Sequence, residues 1–283
     1  MNKPYAMLPE LGEDGVVTDG TSPVTPGLFL RFARLQPGQT LDIAPGEVEW
    51  VVVVLSGHVD VALAGQTFSD VGGRTDIWSG MADSVYVGSG QAATVKARSE
   101  NVEVAVAGGP SNAGLPSFRI RPDEVEIVTV GSDATHSSRK LCHILGKRQE
   151  GRVDRLIISE RYTTGGCWAG YPPHKHGTDA KEETAHDEVY HFRYDPPHGF
   201  ASQFWYDDSE SLAFMMKDRQ SFLFSDGYHP SVTAPGFTEY CFTILYGRGQ
   251  RSLVQYFDPA YRALMAGIPG IGDMIAGYNV AGR

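Results

Sequence analysis

Short apolar runs that glycine and proline interrupt at close intervals are the feature that most restricts the fold of this chain. The 283 residues include 33 glycines and 17 prolines, with runs rich in Val, Ile, Phe and Tyr between them. Strand-sized runs spaced in this way predict an all-β sandwich or barrel, and no long helical pattern interrupts them. The clearest predicted strands cover residues 28–35, 50–55, 59–63, 94–97, 102–107, 156–161, 189–194 and 240–246.

The chain divides into two parts that resemble each other in outline. Residues 108–116 have the sequence GGPSNAGLP, which is typical of a linker, so we expect an N-terminal domain over residues 1–110 and a C-terminal domain over 117–283. Glu49 opens the predicted strand 50–55 as Glu188 opens 189–194, and residues 76–87 and 221–232 both predict strand, turn and strand. This likeness indicates a duplicated β-barrel unit.

Histidines are concentrated in the second part. Eight of the nine lie from His136 onward, and where the second copy has His229 the first has Asp83 or Ser84. A metal site built from histidines can therefore form only in the second domain. The first domain is expected to be structural.

Charge and cysteine content exclude several classes of partner. The formal net charge of -10 disfavours nucleic acid and anionic membranes, because their phosphate groups repel a negative surface. No apolar run approaches the ~20 residues that span a bilayer, and the N-terminus lacks the pattern of a secretory signal. Three scattered cysteines, without a CxxC pair, predict neither a disulfide framework nor a structural zinc site. The cytoplasm is the expected location.

Two histidines, a glutamate and a later histidine carry the strongest chemical signal. On a β-strand, residues i and i+2 point to the same face, so His174 and His176 can aim at one point inside a barrel. Glu188 follows twelve residues later at the start of a β run, and His229 follows a Gly-Tyr turn. Three imidazoles and a carboxylate suit zinc, iron, manganese or nickel and leave positions open for substrate. The plainer alternative is a pair of polar side chains on an exposed edge strand.

Other acidic residues compete for the role of the carboxylate ligand. Glu182 and Glu183 lie in the polar stretch 177–187, which is typical of a solvated loop, so Glu188 is the preferred ligand.

Three separated motifs resemble the 5-deoxy-glucuronate isomerase family. Residues 165–176 have the sequence GGCWAGYPPHKH, residues 187–193 have DEVYHFR, and residues 226–230 have DGYHP. They are similar to that family's GG, Trp and YPPHKH signature, its acidic pair before an aromatic strand, and its GYHP turn. Weaker likeness extends over most of the chain, although the Gly-rich tail 265–283 has no recognised counterpart.

The resemblance implies a bicupin, made of two jelly-roll barrels, that acts in myo-inositol catabolism. It implies interconversion of 5-deoxy-glucuronate and 2-deoxy-5-keto-gluconate, with one divalent metal ion in the second barrel. The family's ligand positions fall on His174, His176, Glu188 and His229. Zinc is the expected ion, with manganese, iron or nickel as alternatives. The expected partner is a small sugar acid, and the expected assembly is a homo-oligomer.

Such an isomerisation passes through an enediolate, so the site must stabilise negative charge on two oxygens and move a proton. Strand alternation from Glu188 places Tyr190 on the same inward face, which makes it a candidate acid or hydrogen-bond donor. A core aromatic side chain is the alternative interpretation. Tyr228 is expected to orient His229 or to line the pocket.

The substrate carboxylate requires a cation, and Arg139 is the first choice. It lies in a polar run, 135–140, that is similar to a family position. Surface solvation is the alternative for any single arginine. The other candidates are Lys175, Arg193 and Arg248.

Three other functions remain open from the residues. The related ketol-isomerase that acts on 4-deoxy-5-hexosulose-uronate would use the same ligands and the same chemistry. Three histidines and a glutamate also suit an iron dioxygenase of the cupin class. A non-catalytic cupin that binds a sugar acid is the third alternative.

Overall fold

The computed structural model describes residues 3–12 and 14–279, and their regular structure is almost entirely β. The strands up to residue 120 are β1 (Tyr5–Leu8), β2 (Gly15–Asp19), β3 (Phe29–Leu35), β4 (Thr40–Ile43), β5 (Val48–Ser56), β6 (His58–Leu63), β7 (Gln66–Gly72), β8 (Asp83–Val87), β9 (Ala93–Ala97), β10 (Val102–Pro110) and β11 (Phe118–Ile120). Those that follow are β12 (Glu126–Val130), β13 (Arg139–Leu145), β14 (Leu156–Thr163), β15 (Trp168–Ala169), β16 (His174–Lys175), β17 (His186–Asp195), β18 (Phe200–Tyr206), β19 (Ser211–Lys217), β20 (Ser221–Phe224), β21 (Ser231–Thr233), β22 (Thr238–Gly247) and β23 (Tyr256–Phe257).

Short helical segments complete the chain. The 3₁₀ turns cover Pro122–Glu124, Lys147–Gln149 and Arg262–Gly267, and the α-helix α1 covers Ile271–Tyr278. Among the residues that the structure describes, no helix is long and apolar enough to cross a bilayer.

The strands form two barrels, each made of one large sheet and one four-stranded sheet. The first barrel has the order β11-β8-β5-β10-β3-β2 opposite β4-β9-β6-β7. The second has β1-β20-β17-β22-β14-β13-β12 opposite β15-β21-β18-β19, with the pair β16-β23 at its mouth. The predicted all-β fold of two jelly-roll barrels is confirmed.

The predicted strands agree with the structure within a few residues, because each is a Val- or aromatic-rich run that ends at a turn former. One of these strand predictions was wrong. The first half of residues 76–87 forms a turn, in which the Ser79 hydroxyl accepts hydrogen bonds from the backbone N–H groups of Thr75 and Asp76, and only Asp83–Val87 is a strand. Helix α1 was also missed, since its Gly-rich sequence has low helix propensity.

The two large sheets pack face to face and share one apolar core. Along β5, Val51 and Val53 lie in this shared core, whereas Val52 and Val54 fill the interior of the first barrel. The second barrel contributes Val189 and other apolar side chains to the shared core. Both faces of each large sheet are therefore buried, which explains the nearly continuous apolar runs of the sequence.

The N-terminal strand and the segment after the predicted linker cross between the barrels. Strand β1 pairs antiparallel with β20 of the second barrel, and β11 pairs with β8 of the first. Each barrel therefore includes a strand from the other side of the predicted domain boundary, which lies between residues 110 and 117.

Buried polar contacts also join the two barrels. Arg74 makes a bidentate salt bridge to Glu160, with nitrogen-to-oxygen distances of 2.6 and 3.0 Å, and the Tyr240 hydroxyl donates to the same carboxylate. Glu49 faces this interface together with Val51 and does not face its own barrel, so its expected equivalence to Glu188 is wrong. Its carboxylate accepts hydrogen bonds from the Tyr86 hydroxyl and from the backbone N–H groups of Asp154, Arg155 and Leu156.

We expect Arg74→Ala to lower the free energy of unfolding by about 3–5 kcal/mol, because it leaves the fully buried Glu160 carboxylate without its counter-charge. Urea unfolding followed by circular dichroism measures this loss. Arg98→Ala is the control, since Arg98 forms an exposed ion pair with Asp60 and its loss should cost no more than ~1 kcal/mol. Equal losses in the two variants would contradict the proposed structural role of Arg74.

Candidate metal centre

Four elements at the mouth of the second barrel carry the predicted metal ligands. His174 lies on β16, which pairs with β23, and His176 follows directly after β16. Glu188 lies on β17, opposite Phe224 of β20. His229 lies in the turn between β20 and β21.

The structure brings three of these side chains within reach of one ion. The Glu188 Oε2 atom is 3.0 Å from His176 Nε2 and 3.6 Å from His229 Nε2. One ligand atom from each residue lies within 4.8 Å of the others, and all three residues are buried. This spacing leaves room for a cation between the three groups.

Backbone carbonyls fix the orientation of all three imidazoles. The Nδ1 atom of each ring lies at hydrogen-bonding distance from a carbonyl oxygen, which can only accept, so Nδ1 carries the proton and Nε2 carries the lone pair. Metal-binding histidines in proteins are oriented in this way by their second nitrogen. The carbonyls belong to Pro172, His186 and Gly227, at 3.2, 3.2 and 2.9 Å from His174, His176 and His229 respectively.

The electrostatics of the cluster also favour a cation. Burial and the neighbouring histidines hold the pKa of His229 well below its usual range, and its buried Nε2 atom has no hydrogen-bond partner among the described residues. Burial lowers the pKa of His176, but the hydrogen bond and charge of Glu188 outweigh this effect and raise it. With Nδ1 donating to the backbone, the His176 lone pair faces the Glu188 carboxylate, and these two acceptors require a proton or a metal ion between them.

His174 borders this cluster but is engaged by another residue. Its ring centroid is 5.0 Å from that of His229, while its Nε2 atom is 2.9 Å from the side-chain nitrogen of Gln255. Burial lowers the pKa of His174 to about 3, so the neutral ring accepts a hydrogen bond from the Gln255 amide. For His174 to bind a metal ion, the hydrogen bond between its Nε2 atom and the Gln255 side chain would have to break. The role of His174 as the fourth ligand stays a prediction.

A small cavity adjoins the cluster. About 30 Å³ is open to the centre of a water molecule, and the lining includes His174, His176 and Glu188. The other residues that line it are Arg139, Leu141, Arg161, Gly170, Tyr190, Thr243, Leu245, Leu253, Gln255, Met274 and Tyr278.

Arg139 is a buried cation on the wall of this cavity. Its guanidinium donates to the backbone carbonyls of Ser137 and Tyr171, at 2.9 and 3.0 Å, and no carboxylate of the described residues pairs with it. Burial and the nearby charge of Arg161 lower the pKa of Arg139 to about 10. Arg161 itself is paired with Glu239. An unpaired buried guanidinium is unfavourable unless an anion binds beside it.

The two predicted tyrosines lie in different places. Tyr190 lines the cavity, its ring centroid is 6.3 Å from that of His229, and the Arg161 guanidinium lies over its ring. Tyr228 stacks on Tyr206 in a separate surface cleft that also contains Lys175. A substrate-binding role for Tyr228 remains a prediction that the cavity lining does not support.

The competing charged residues point away from the cavity. Glu182 is exposed, whereas Glu183 is buried, contrary to expectation, because it accepts hydrogen bonds from the backbone of the adjacent loop and pairs with Lys175. The other two candidate cations are also paired elsewhere, Arg193 with Glu103 and Arg248 with Asp187.

Sequence reasoning missed several residues of the cavity wall. Arg161 carried a usable signal, since a charged residue within the apolar run 156–161 predicts a specific partner. Gln255, Met274 and Tyr278 carried none, because Gln255 lies in the loop before β23 and the other two lie on an unexpected helix.

Comparisons with known proteins identify the family of this chain. Residues 11–264 match the KduI/IolB family. A protein of Geobacillus kaustophilus named 5-deoxy-glucuronate isomerase is 32% identical over 217 residues, which are 75% of this chain and 77% of that protein. A protein of the same name from Listeria innocua is 28% identical over 235 residues, or 82% of this chain and 85% of that protein.

Solved structures show the same fold. An IolB-like protein of Salmonella typhimurium superimposes with a TM-score of 0.84 at 25% identity, over 93% of this chain and 99% of the other. A mutant of Bacillus subtilis oxalate decarboxylase superimposes with a TM-score of 0.61 at 11% identity, over 100% of this chain and 88% of the other, which shows a shared fold.

We expect His229→Ala to weaken zinc binding by about 100-fold or more, since loss of even a group that orients a ligand costs ~10- to 100-fold. Titration of the metal-free protein with zinc, followed by calorimetry, measures this change. The matched control is His186→Gln, because His186 is equally buried and its Nε2 atom already contacts the Arg251 carbonyl. If both variants bind zinc like the parent protein, the three-residue cluster is not the metal site.

Proposed function

The chain belongs to the KduI/IolB family, and we propose that it is an aldose-ketose isomerase that interconverts 5-deoxy-glucuronate and 2-deoxy-5-keto-gluconate in myo-inositol catabolism. We further propose that His174, His176, Glu188 and His229 hold one divalent ion, with zinc as the expected species. The observation that carries this proposal is the buried cluster of oriented imidazole lone pairs around one carboxylate, beside a cavity with an unpaired arginine. Relatives named 5-deoxy-glucuronate isomerase support the choice of substrate.

The reaction moves a hydrogen between neighbouring carbons and develops negative charge on their oxygens. A bound divalent cation supplies Lewis-acid stabilisation of that charge. The side chains of this protein then have three tasks, which are to hold the cation, to fix the substrate carboxylate and to move a proton.

Arg139 is proposed to fix the substrate carboxylate. It is buried, it faces the cavity, and its hydrogen bonds go only to neutral groups. A carboxylate would provide the missing counter-charge and accept a charge-assisted hydrogen bond. Arg161 adds positive potential nearby, although Glu239 already neutralises it.

Tyr190 is proposed to donate a proton or a hydrogen bond to the substrate. Burial and the charge of Glu188 raise the pKa of its hydroxyl well above the usual range, so the phenol stays protonated at neutral pH. A protonated phenol beside the cavity can stabilise a developing oxyanion but does not act as the resting base.

We also propose a cytoplasmic location and a homo-oligomeric assembly that acts on a small-molecule substrate. The three cysteines, Cys142, Cys167 and Cys241, are free and buried, which is consistent with a reducing compartment.

Removal of the metal by chelation should abolish isomerisation of 5-deoxy-glucuronate, and re-addition of zinc, manganese, iron or nickel should restore it with the ion that the protein prefers. Elemental analysis and a coupled assay measure both steps. The assay should include 4-deoxy-5-hexosulose-uronate and an oxygen electrode, because preferred turnover of that acid or uptake of oxygen would replace the proposed reaction. A metal-loaded protein without any turnover would indicate a binding protein.

Arg139→Gln should lower kcat/KM by about 10- to 100-fold, since a hydrogen bond to a charged group contributes ~1.5–3 kcal/mol. Most of the change should appear in KM. Lys217→Gln removes an exposed cation from β19 of the same barrel and is the control. An unchanged KM for Arg139→Gln would exclude Arg139 as the carboxylate anchor.

Tyr190→Phe should lower kcat by about 100-fold or more, which is the usual contribution of a positioned acid or base. KM and zinc affinity should change little, because the ring and its packing remain. Steady-state kinetics with a parallel zinc titration separates these effects. A variant with normal kcat would identify Tyr190 as a core aromatic residue.

A further inference from the structure

Helix α1 lies beyond the part of the chain that matches the family, yet it forms one wall of the cavity. The family match ends at residue 264, and α1 begins at Ile271. Its apolar face packs on β12 and on the rim of the second barrel. The cluster at this contact includes Val128, Val130, Leu141, Leu253, Ile268, Ile271, Met274 and Tyr278.

Two side chains of α1 reach the proposed substrate-binding groups. The Met274 sulfur atom is 3.8 Å from a guanidinium nitrogen of Arg139. The Tyr278 ring is buried edge-on against His143, with a centroid distance of 4.7 Å, and Tyr278 lines the same cavity as Glu188 and Arg139. Met274 and Tyr278 therefore occupy space beside both the carboxylate anchor and the metal cluster.

The cavity that remains is too small for a sugar acid. About 30 Å³ is open to the centre of a water molecule, whereas pockets that bind small organic ligands usually measure ~300–1,000 Å³. A six-carbon acid that reaches both Arg139 and the metal cluster therefore does not fit between the present walls. Some part of the wall must move before such an acid binds.

Helix α1 makes fewer backbone hydrogen bonds to the rest of the barrel than the wall strands β14 and β17 do. Strands β14 and β17 are hydrogen-bonded to a neighbouring strand on both sides, so their displacement would break two ladders. The backbone hydrogen bonds of α1 are largely internal, and it is tied to the barrel by the bond from Leu253 N–H to the Tyr278 carbonyl and by a side-chain hydrogen bond between Tyr278 and Ser159. Gly270 precedes the helix in a left-handed conformation with φ of 70°, a position where a side chain would clash with the Thr129 carbonyl. Movement of α1 about this glycine loses packing but few hydrogen bonds.

We propose that α1 is a movable wall of the substrate cavity, and that Met274 and Tyr278 determine which acids can bind there. This inference rests on the proposed function only in that the ligand is a sugar acid. Two-carbon acids should bind with α1 in place. Larger acids should bind only when α1 swings away from Arg139.

The test compares the zinc-loaded full chain with its Met274→Ala variant in the binding of two acids that cannot isomerise. Glycolate is the small probe, and gluconate is the six-carbon probe. Met274→Ala should raise the association rate of gluconate by about tenfold, because less helix displacement is required, and should leave glycolate and zinc within about twofold. Asp273→Ala, at an exposed position of the same helix, is the matched control and should change neither acid. Equal effects on the two acids, or equal effects of the two variants, would overturn the proposal.

Hydrogen exchange on the parent protein gives a second readout that does not depend on the folding of a variant. Saturating gluconate should speed amide exchange in Ile271–Tyr278, whereas glycolate should not. Unchanged or slower exchange with gluconate bound would refute a movable wall. If the protein isomerises its substrate but amide exchange in α1 does not respond to gluconate, only this inference is rejected. If exchange in α1 responds to gluconate but the protein has no isomerase activity, only the proposed function is rejected.

Discussion

The face-to-face packing of the two large sheets is the interaction on which the rest of the structure depends. Because alternate residues of a strand point to opposite faces, a strand inside this stack has one set of side chains for the shared core and another for its own barrel. Along β17, Val189 joins the shared core and the ring of His191 lies 4.1 Å from that of Phe32 in the first barrel. The same alternation turns Glu188 and Tyr190 into the second barrel. The packing of the two barrels thus fixes the direction in which the proposed metal ligand points.

The two barrels use their interiors differently. Apolar side chains, mostly valine and alanine, fill the first from Ala33 to Val106, and the buried carboxylate of Asp83 is paired with Arg119. The second holds three oriented imidazoles, a carboxylate and the unpaired Arg139 guanidinium. Buried polar groups lower the free energy of unfolding. The extensive apolar contact with the first barrel offsets the stability that the second barrel loses around its cavity. A structural first barrel, as expected because His58 is its single histidine, agrees with this division.

Local patterns predicted the features that depend on local sequence. The strands could be predicted, and the candidate ligands His174, His176, Glu188 and His229 could be selected, because each lies in a short motif. Features set by distant contacts could not be found in this way. The inward or outward direction of Glu49 depends on a sheet more than one hundred residues away in sequence, as its bond to the Leu156 N–H shows. Helix α1 has weak propensity and forms because the barrel rim covers its apolar face.

The pairing of β1 with β20 has a consequence for how the chain is made. The partner of Tyr5 is Phe224, so β1 can pair only after residue 224 has left the ribosome. Domains usually fold in order from the N-terminal side during synthesis, but Tyr5–Leu8 must wait as an unpaired segment. Contacts so distant in sequence also slow folding, since a long loop must close before they form. The ordering of β1 therefore depends on a strand more than two hundred residues later in the chain.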